Sequence, residues 1–169
     1  MLALVPLSRD HFEVLARWLT QPHVAEWWGQ HTPQSMEADF GPSIDGDDPT
    51  QMLICILDDE PVGLVQIYRL DDNPEYAAAV GLPGAGGLDL FIGEAVLCNR
   101  GIGTDIIKAA TARLWEDYPE ITAAMAGPST GNARSIRAFE KAGFAATGAV
   151  TVPGEADPEM VMVLPRPTA

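Results

Sequence analysis

The stretch LCNRGIGTDIIKAA, Leu97–Ala110, sets a basic residue and two glycines spaced by one residue ahead of a helix-like run. That combination serves phosphate binding. Glycines let backbone N–H groups approach an anion, and a helix N-terminus adds about half a positive charge. Nucleoside triphosphates, dinucleotides and coenzyme A are the three common partners of such a loop. A P-loop requires GxxxxGK[ST], and no Lys follows Gly103. A dinucleotide fingerprint requires a third glycine, where this chain has Ile106. What remains is strand, loop, Arg-Gly-Ile-Gly-Thr and long helix, a pattern that alone also describes an ordinary turn.

Other stretches carry chemistry of their own. GNARSIRAFEKAGF, Gly131–Phe144, opens a helix with Asn132 and closes it at Gly143. EWW, Glu26–Trp28, places two adjacent tryptophans at a helix end. Neighbouring side chains point in different directions, so at least one of the two is expected to be half exposed. DGDDPTQMLICI, residues 45–56, begins like a calcium loop but has Ile56 where the twelfth-position Glu is needed. His11, His23 and His31 are too scattered for a metal site, and none is expected. Cys98 has no base beside it and reads as a loop-packing residue.

The elements that must position these residues follow from periodicity and turn chemistry. Leu2–Pro6 reads as a strand. Ser8 then offers an N-cap to a helix bearing Phe12, Leu15, Ala16 and Leu19 on one face. Short helices are expected over Pro22–Trp27 and from near Pro33. Gln51–Leu57 and Pro61–Arg69 form a hairpin through Asp58-Asp59-Glu60, and Asp71–Gly86 reads as a loop. Strands at Leu88–Ile92, Ile121–Ala126 and Phe144–Val152 alternate with helices at Thr104–Tyr118 and Asn132–Ala142, and Met160–Leu164 pairs last. Hairpins first and βαβαβ later predict an α/β (α+β) architecture around one central sheet, in a single domain over residues 1–169.

Bulk properties narrow the partners. The chain carries −14, so nucleic acid and anionic membrane are not expected to bind. Residues 100–141 hold six of the ten basic groups against five acids, a stretch of +1 in a chain whose remainder carries −15. No apolar run is long enough for a membrane span, and the N-terminus lacks a basic segment before its short apolar stretch. Two cysteines without CxxC spacing fit a reducing compartment, so a cytoplasmic protein is expected.

Taken together, G-x-G-T opening one helix and N-x-x-[SA]-I-x-x-[YF]-E-K-x-G-F on the next resemble the GNAT family of N-acetyltransferases. The resemblance implies a mostly antiparallel central sheet, flanked by helices and splayed between its fourth and fifth strands. It also implies acetyl-CoA as co-substrate. Arg100, Gly101, Ile102, Gly103 and Thr104 would contact the pyrophosphate, and Phe91 and Ile92 the pantetheine and thioester. Asn132 would steady the cofactor. Cys98 stands where the family usually has Gln or Arg. Phe139 lies on the cofactor side where many members have a Tyr that protonates the departing thiolate.

EWW read with GGLDLFIGEAVLCNRGIGT resembles one subgroup, the aminoglycoside 6'-N-acetyltransferases and related hydroxylysine-type siderophore acetyltransferases, over residues 2–163. That resemblance makes Asp89 the residue that meets the amine to be acetylated. Trp27 or Trp28 would wall the acceptor cleft, and Glu26 would bind an amine. Asp71, Asp72 and Glu75 in the central loop, with Glu155, Asp157 and Glu159 in the late one, would draw in a polycation. In a prominent aminoglycoside branch an Asp precedes the Pro-Ser leading to the Asn; here that place is Gly127. The expected activity is acetyl transfer to a primary amine of an aminoglycoside, conferring resistance, by a monomer or homodimer. Alternatives are a siderophore-pathway acetyltransferase and a non-catalytic acyl-CoA-binding module.

Overall fold

Two aspartates set the first hairpin. Asp58 and Asp59 take positive φ, 50° and 70°, as a two-residue type I′ turn requires, and Asp tolerates that region better than most residues. The turn joins β2 (Gln51–Leu57) to β3 (Glu60–Arg69). The computed structural model describes residues 1–168. Its other strands are β1 (Leu2–Pro6), β4 (Ala85–Ile92), β5 (Ala123–Ala126), β6 (Ala145–Val150) and β7 (Glu159–Pro165). They form one seven-stranded sheet in the order β1-β2-β3-β4-β5-β7-β6.

β1 runs antiparallel to β2 with Leu2 opposite Leu57, and β7 runs antiparallel to both β5 and β6. The parallel pair is β4 with β5. Its register covers only Ala85–Gly87 opposite Ala123–Met125, so pairing with β5 stops partway along β4. This is the mixed, mostly antiparallel sheet that the resemblance implies, with pairing between its fourth and fifth strands confined to three positions.

By packing, the described chain forms two compact units, Met1–Gln66 with Leu90–Gly103, and Ile67–Asp89 with the chain from Thr104 onward. In the first, α1 (Phe12–Leu19), α2 (Pro22–Trp28) and α3 (Met36–Asp45) accompany β1 and β2. α1 buries Leu15, Trp18 and Leu19, the i, i+3, i+4 face of an amphipathic helix. These join Leu7, Val24, Met36, Phe40, Ile54, Leu64 and Phe91 in one core. α3 begins three residues beyond Pro33, after Ser35.

The second unit contains α4 (Pro74–Val80), most of α5 (Ile102–Asp117) and α6 (Ala133–Lys141). α5 buries Ile106, Ile107, Ala110 and Leu114, the face read from sequence. Leu70, Ala85, Met125 and Val161 form a smaller core under the rings of Tyr68 and Tyr76.

Asp71–Gly86 is not the loop that its composition predicts. The segment holds α4 and the start of β4, and a 3-10 turn at Leu70–Asp72 leads into it. Asn73 caps α4 by accepting the Tyr76 N–H at 3.3 Å, Pro74 occupies the first turn, and Gly81 ends the helix at φ 71°. Asn-Pro at the start and Gly at the end are helix boundary signals that the polar and Ala-rich composition obscured. Gly86 lies within β4, and a Cβ there would come within 2.6 Å of Ile121 Cδ1, so the strand has a glycine where Ile121 packs against its backbone. Among the described residues no helix is long and apolar enough to cross a membrane.

Gly63 of β3 lies so close to β4 that a Cβ would overlap the Phe91 carbonyl oxygen. Gly63→Ala must therefore push two strands apart. It is expected to destabilise the fold by about 1–3 kcal/mol, seen as a lower urea midpoint at constant slope. An unchanged midpoint would show that the strands separate freely.

Candidate active site

In the first unit, β4 ends at Ile92 and the chain continues through Gly93, Glu94 and a 3-10 turn at Ala95–Leu97 to the glycine loop. Asn99 and Gly101 take positive φ, 61° and 80°. A Cβ at Gly101 would meet nothing within 4 Å, so glycine is demanded there by backbone and the face above it is open. Arg100 and Gly101 are exposed, while Ile102, Gly103 and Thr104 are half-buried in the first turn of α5. The N–H groups of a helix's first turn lack intrahelical acceptors. An exposed glycine loop leading into such a turn has the donor set an anionic phosphate requires.

The run-up to this loop is fixed by residues the sequence did not mark. Glu94 Oε1 accepts from Trp18 Nε1 at 3.1 Å and pairs with Arg17 Nη2 at 3.0 Å. Gly93 donates its N–H to the Val62 carbonyl at 2.8 Å. A Cβ on Gly93 would overlap the Trp18 indole, so the ring lies directly against the backbone. His23, too far from the other histidines for a metal site, donates from Nε2 to the Ile92 carbonyl at 2.9 Å. A carbonyl only accepts, so this contact puts the ring proton on Nε2.

Phe91 is buried and receives two edge-on rings, Trp28 at 5.0 Å and Trp18 at 6.1 Å between centroids. Such edge-to-face pairs add about 0.5–1.5 kcal/mol beyond area burial. Trp28 thus packs inward while Trp27 is exposed, the division expected of adjacent tryptophans. Glu26 is exposed beside Trp27.

The second unit gathers carboxylates around two tyrosines. Tyr68, one strand away on β3, donates its hydroxyl to Asp89 Oδ2 at 3.1 Å. Its ring fills the space a side chain at Gly87 would take. Tyr76 of α4 donates to Glu159 Oε1 at 2.7 Å. Burial, then the charge of Asp89, holds the Tyr68 and Tyr76 hydroxyls protonated well above the usual tyrosine range. Burial also raises the Glu159 carboxyl; the Asp89 and Glu155 charges add to it and the Tyr76 hydrogen bond partly offsets it. Asp89 therefore acts on both tyrosines and on Glu159 as one electrostatic group.

The remaining expected residues are spread more widely. Asp72 accepts from Arg69 Nε at 3.2 Å, and Asp71 beside it is exposed. Glu155 and Asp157 lie exposed in the loop between β6 and β7. Asn132 uses Oδ1 to cap α6, accepting the Ser135 N–H at 3.2 Å. Phe139 is buried edge-on against Phe144 at 5.2 Å. Tyr68 and Tyr76 escaped the sequence reading. The usable signal was glycine: Gly87 and Gly127 leave room for a neighbour's ring or carboxylate.

A sheet that opens at β4 and β5, with a glycine loop running into α5, is the arrangement of an acyl-CoA-type transferase. The chain belongs to the GNAT acetyltransferases: the family model described as acetyltransferase (GNAT) domain matches residues 8–152. It is 34% identical over 165 residues to an aminoglycoside N(6')-acetyltransferase type 1 of Klebsiella pneumoniae, covering 95% of this chain and 81% of that protein. A kanamycin resistance protein of Rhizobium radiobacter is 39% identical over 84 residues, 50% of this chain and 75% of that protein. The crystal structure of aminoglycoside acetyltransferase AAC(6')-Ib with coenzyme A superposes with a TM-score of 0.88 at 32% identity, covering 98% of this chain and 95% of that one. The same enzyme with coenzyme A and kanamycin gives 0.88 at 31% identity, with the same coverage.

Because Glu159 keeps its proton to higher pH when folded than when unfolded, its contribution to stability is full below the ordinary carboxylate range. That contribution is lost as pH rises through its folded pKa. Glu159→Gln keeps the shape and cannot ionise. Its melting temperature is expected to exceed the parent's at pH 8, by a margin that shrinks toward pH 5. A margin independent of pH would show that ionised Glu159 is not a burden.

Proposed function

We propose that this chain is an acetyl-CoA-dependent N-acetyltransferase acting on a primary amine of an aminoglycoside, the 6'-amine, and thereby conferring resistance. The observation that carries the reading is Asp89. Its carboxylate is oriented by a buried tyrosine hydroxyl, on the strand that runs on into the glycine loop. Similarity to aminoglycoside N(6')-acetyltransferases along nearly the whole chain supports the same substrate class over a siderophore precursor. We also place the protein in the cytoplasm, where acetyl-CoA is made.

Acetyl-CoA supplies an acetyl group activated as a thioester. Arg100, Gly101, Ile102, Gly103 and Thr104 would hold its pyrophosphate, by charge at Arg100 and by backbone N–H groups at the start of α5. Phe91 and Ile92 would bind the pantetheine arm through backbone groups, and Asn132 would steady the cofactor. An ammonium cannot attack a thioester, so the amine must first lose a proton. Asp89 positions the amine and accepts that proton, directly or through water. The amine nitrogen would then bond to the acetyl carbon as the carbon–sulfur bond breaks, and the second proton, shed as the nitrogen becomes an amide, would pass to water. Phe139 offers no proton to the departing sulfur. With a thiol pKa of roughly 8.5, the thiolate is stable enough to leave unaided. Trp27 and Glu26, exposed at the end of α2, are assigned to the acceptor, as are Trp28 and the acids Asp71, Asp72, Glu155 and Asp157.

A thiol-release assay with acetyl-CoA across kanamycin-like acceptors and hydroxylysine tests the reading directly. Release with aminoglycosides is expected. Release only with hydroxylysine, or none despite bound CoA, would replace the reading with a siderophore enzyme or a binding module. Asp89→Ala should lower turnover by orders of magnitude with CoA affinity intact, and unchanged turnover would remove Asp89 from the mechanism. Gly101→Ala, which forces a Cβ into the left-handed region at about 1–2 kcal/mol, should weaken CoA binding about tenfold by calorimetry.

A further inference from the structure

Gly127 follows β5, and the place its side chain would take is already filled. A Cβ there would overlap Glu159 Oε1 and lie 2.8 Å from the Tyr76 hydroxyl. Glu159 is brought to this place by its backbone. It opens β7 opposite Val150 and forms a bridge with Ser129. On either side, Thr130 N–H donates to the Pro158 carbonyl at 3.0 Å and Met160 N–H to the Pro128 carbonyl at 2.8 Å. The side chain is then fixed at its tip by the Tyr76 hydroxyl at 2.7 Å, a bond that uses Oε1. A carboxylate accepts at both oxygens, so Oε2 retains capacity for a donor.

A half-buried carboxylate held this firmly is costly unless something balances its charge. Among the described residues, no lysine or arginine forms an ion pair with it. Nor does the fold hide it: Glu159 keeps part of its surface exposed, and no buried polar side-chain atom among the described residues lacks a partner. The neighbouring Asp89 makes the local field more negative still. The position suits a cation that arrives from outside the chain and carries hydrogen-bond donors.

We propose that Glu159, set over Gly127 and steadied by Tyr76, receives a second ammonium group of the acceptor while Asp89 takes the amine that reacts. Glu159 is then a specificity-determining residue that selects polyamines with at least two ammonium groups. This rests on the acetyltransferase reading above. It puts a carboxylate of β7 in the space that a side chain at position 127 would fill.

The test is steady-state kinetics of Glu159→Gln with kanamycin and acetyl-CoA, at low and high salt. Loss of one charge-assisted contact is expected to raise KM for kanamycin about tenfold, with a smaller change in kcat and none in KM for acetyl-CoA. The parent's KM should rise with salt more steeply than the variant's. Gly127→Ala, which displaces the carboxylate without removing it, should raise the same KM. Coenzyme A affinity by calorimetry shows that each variant is folded. An unchanged kanamycin KM in Glu159→Gln overturns the assignment while leaving the acetyltransferase reading intact. A parent enzyme that releases no thiol with any aminoglycoside overturns both.

Discussion

At three glycines, one in the first unit and two in the second, the side-chain volume is given up to an aromatic side chain, a carboxylate or both. At Gly93 the occupant is Trp18, whose indole N–H holds Glu94. At Gly87 it is Tyr68, whose hydroxyl holds Asp89. At Gly127 the Tyr76 hydroxyl and the Glu159 carboxylate share the space. Protein interiors are close-packed, so a ring can touch backbone only where no Cβ stands in the way. Glu94 and Asp89 are thereby held by aromatic side chains packed against backbone.

Legibility followed sequence separation. The glycine loop could be read because its parts are consecutive, and its backbone takes positive φ at Asn99 and Gly101. The hairpin at Asp58-Asp59 and the buried face of α5 were likewise local signals. Asp89 was marked by resemblance, but its environment depends on Tyr68, Tyr76 and Glu159, which lie 21, 13 and 70 positions away in sequence. Nothing in a linear pattern joins them. Tyr76 was hidden further because its helix was read as loop. Gly127 was read as the loss of an acid. The fold gives it a different meaning, because a carboxylate from another strand occupies that place.

The same residues show where stability is given up. Glu159 is disfavoured in its charged form by burial and by Asp89, and two tyrosine hydroxyls are kept from ionising beside them. Proteins tolerate such local costs where function requires them and recover them elsewhere. Here the recovery is visible in the first unit, where Trp18, Trp28 and Phe91 pack edge to face within a large apolar core.

The shared space at Gly127 ties two positions together. A side chain gained at residue 127 collides with the carboxylate of residue 159, and shortening residue 159 alone leaves a void over the glycine. A larger residue at 127 is therefore accommodated only if the side chain of residue 159 is shortened or moved.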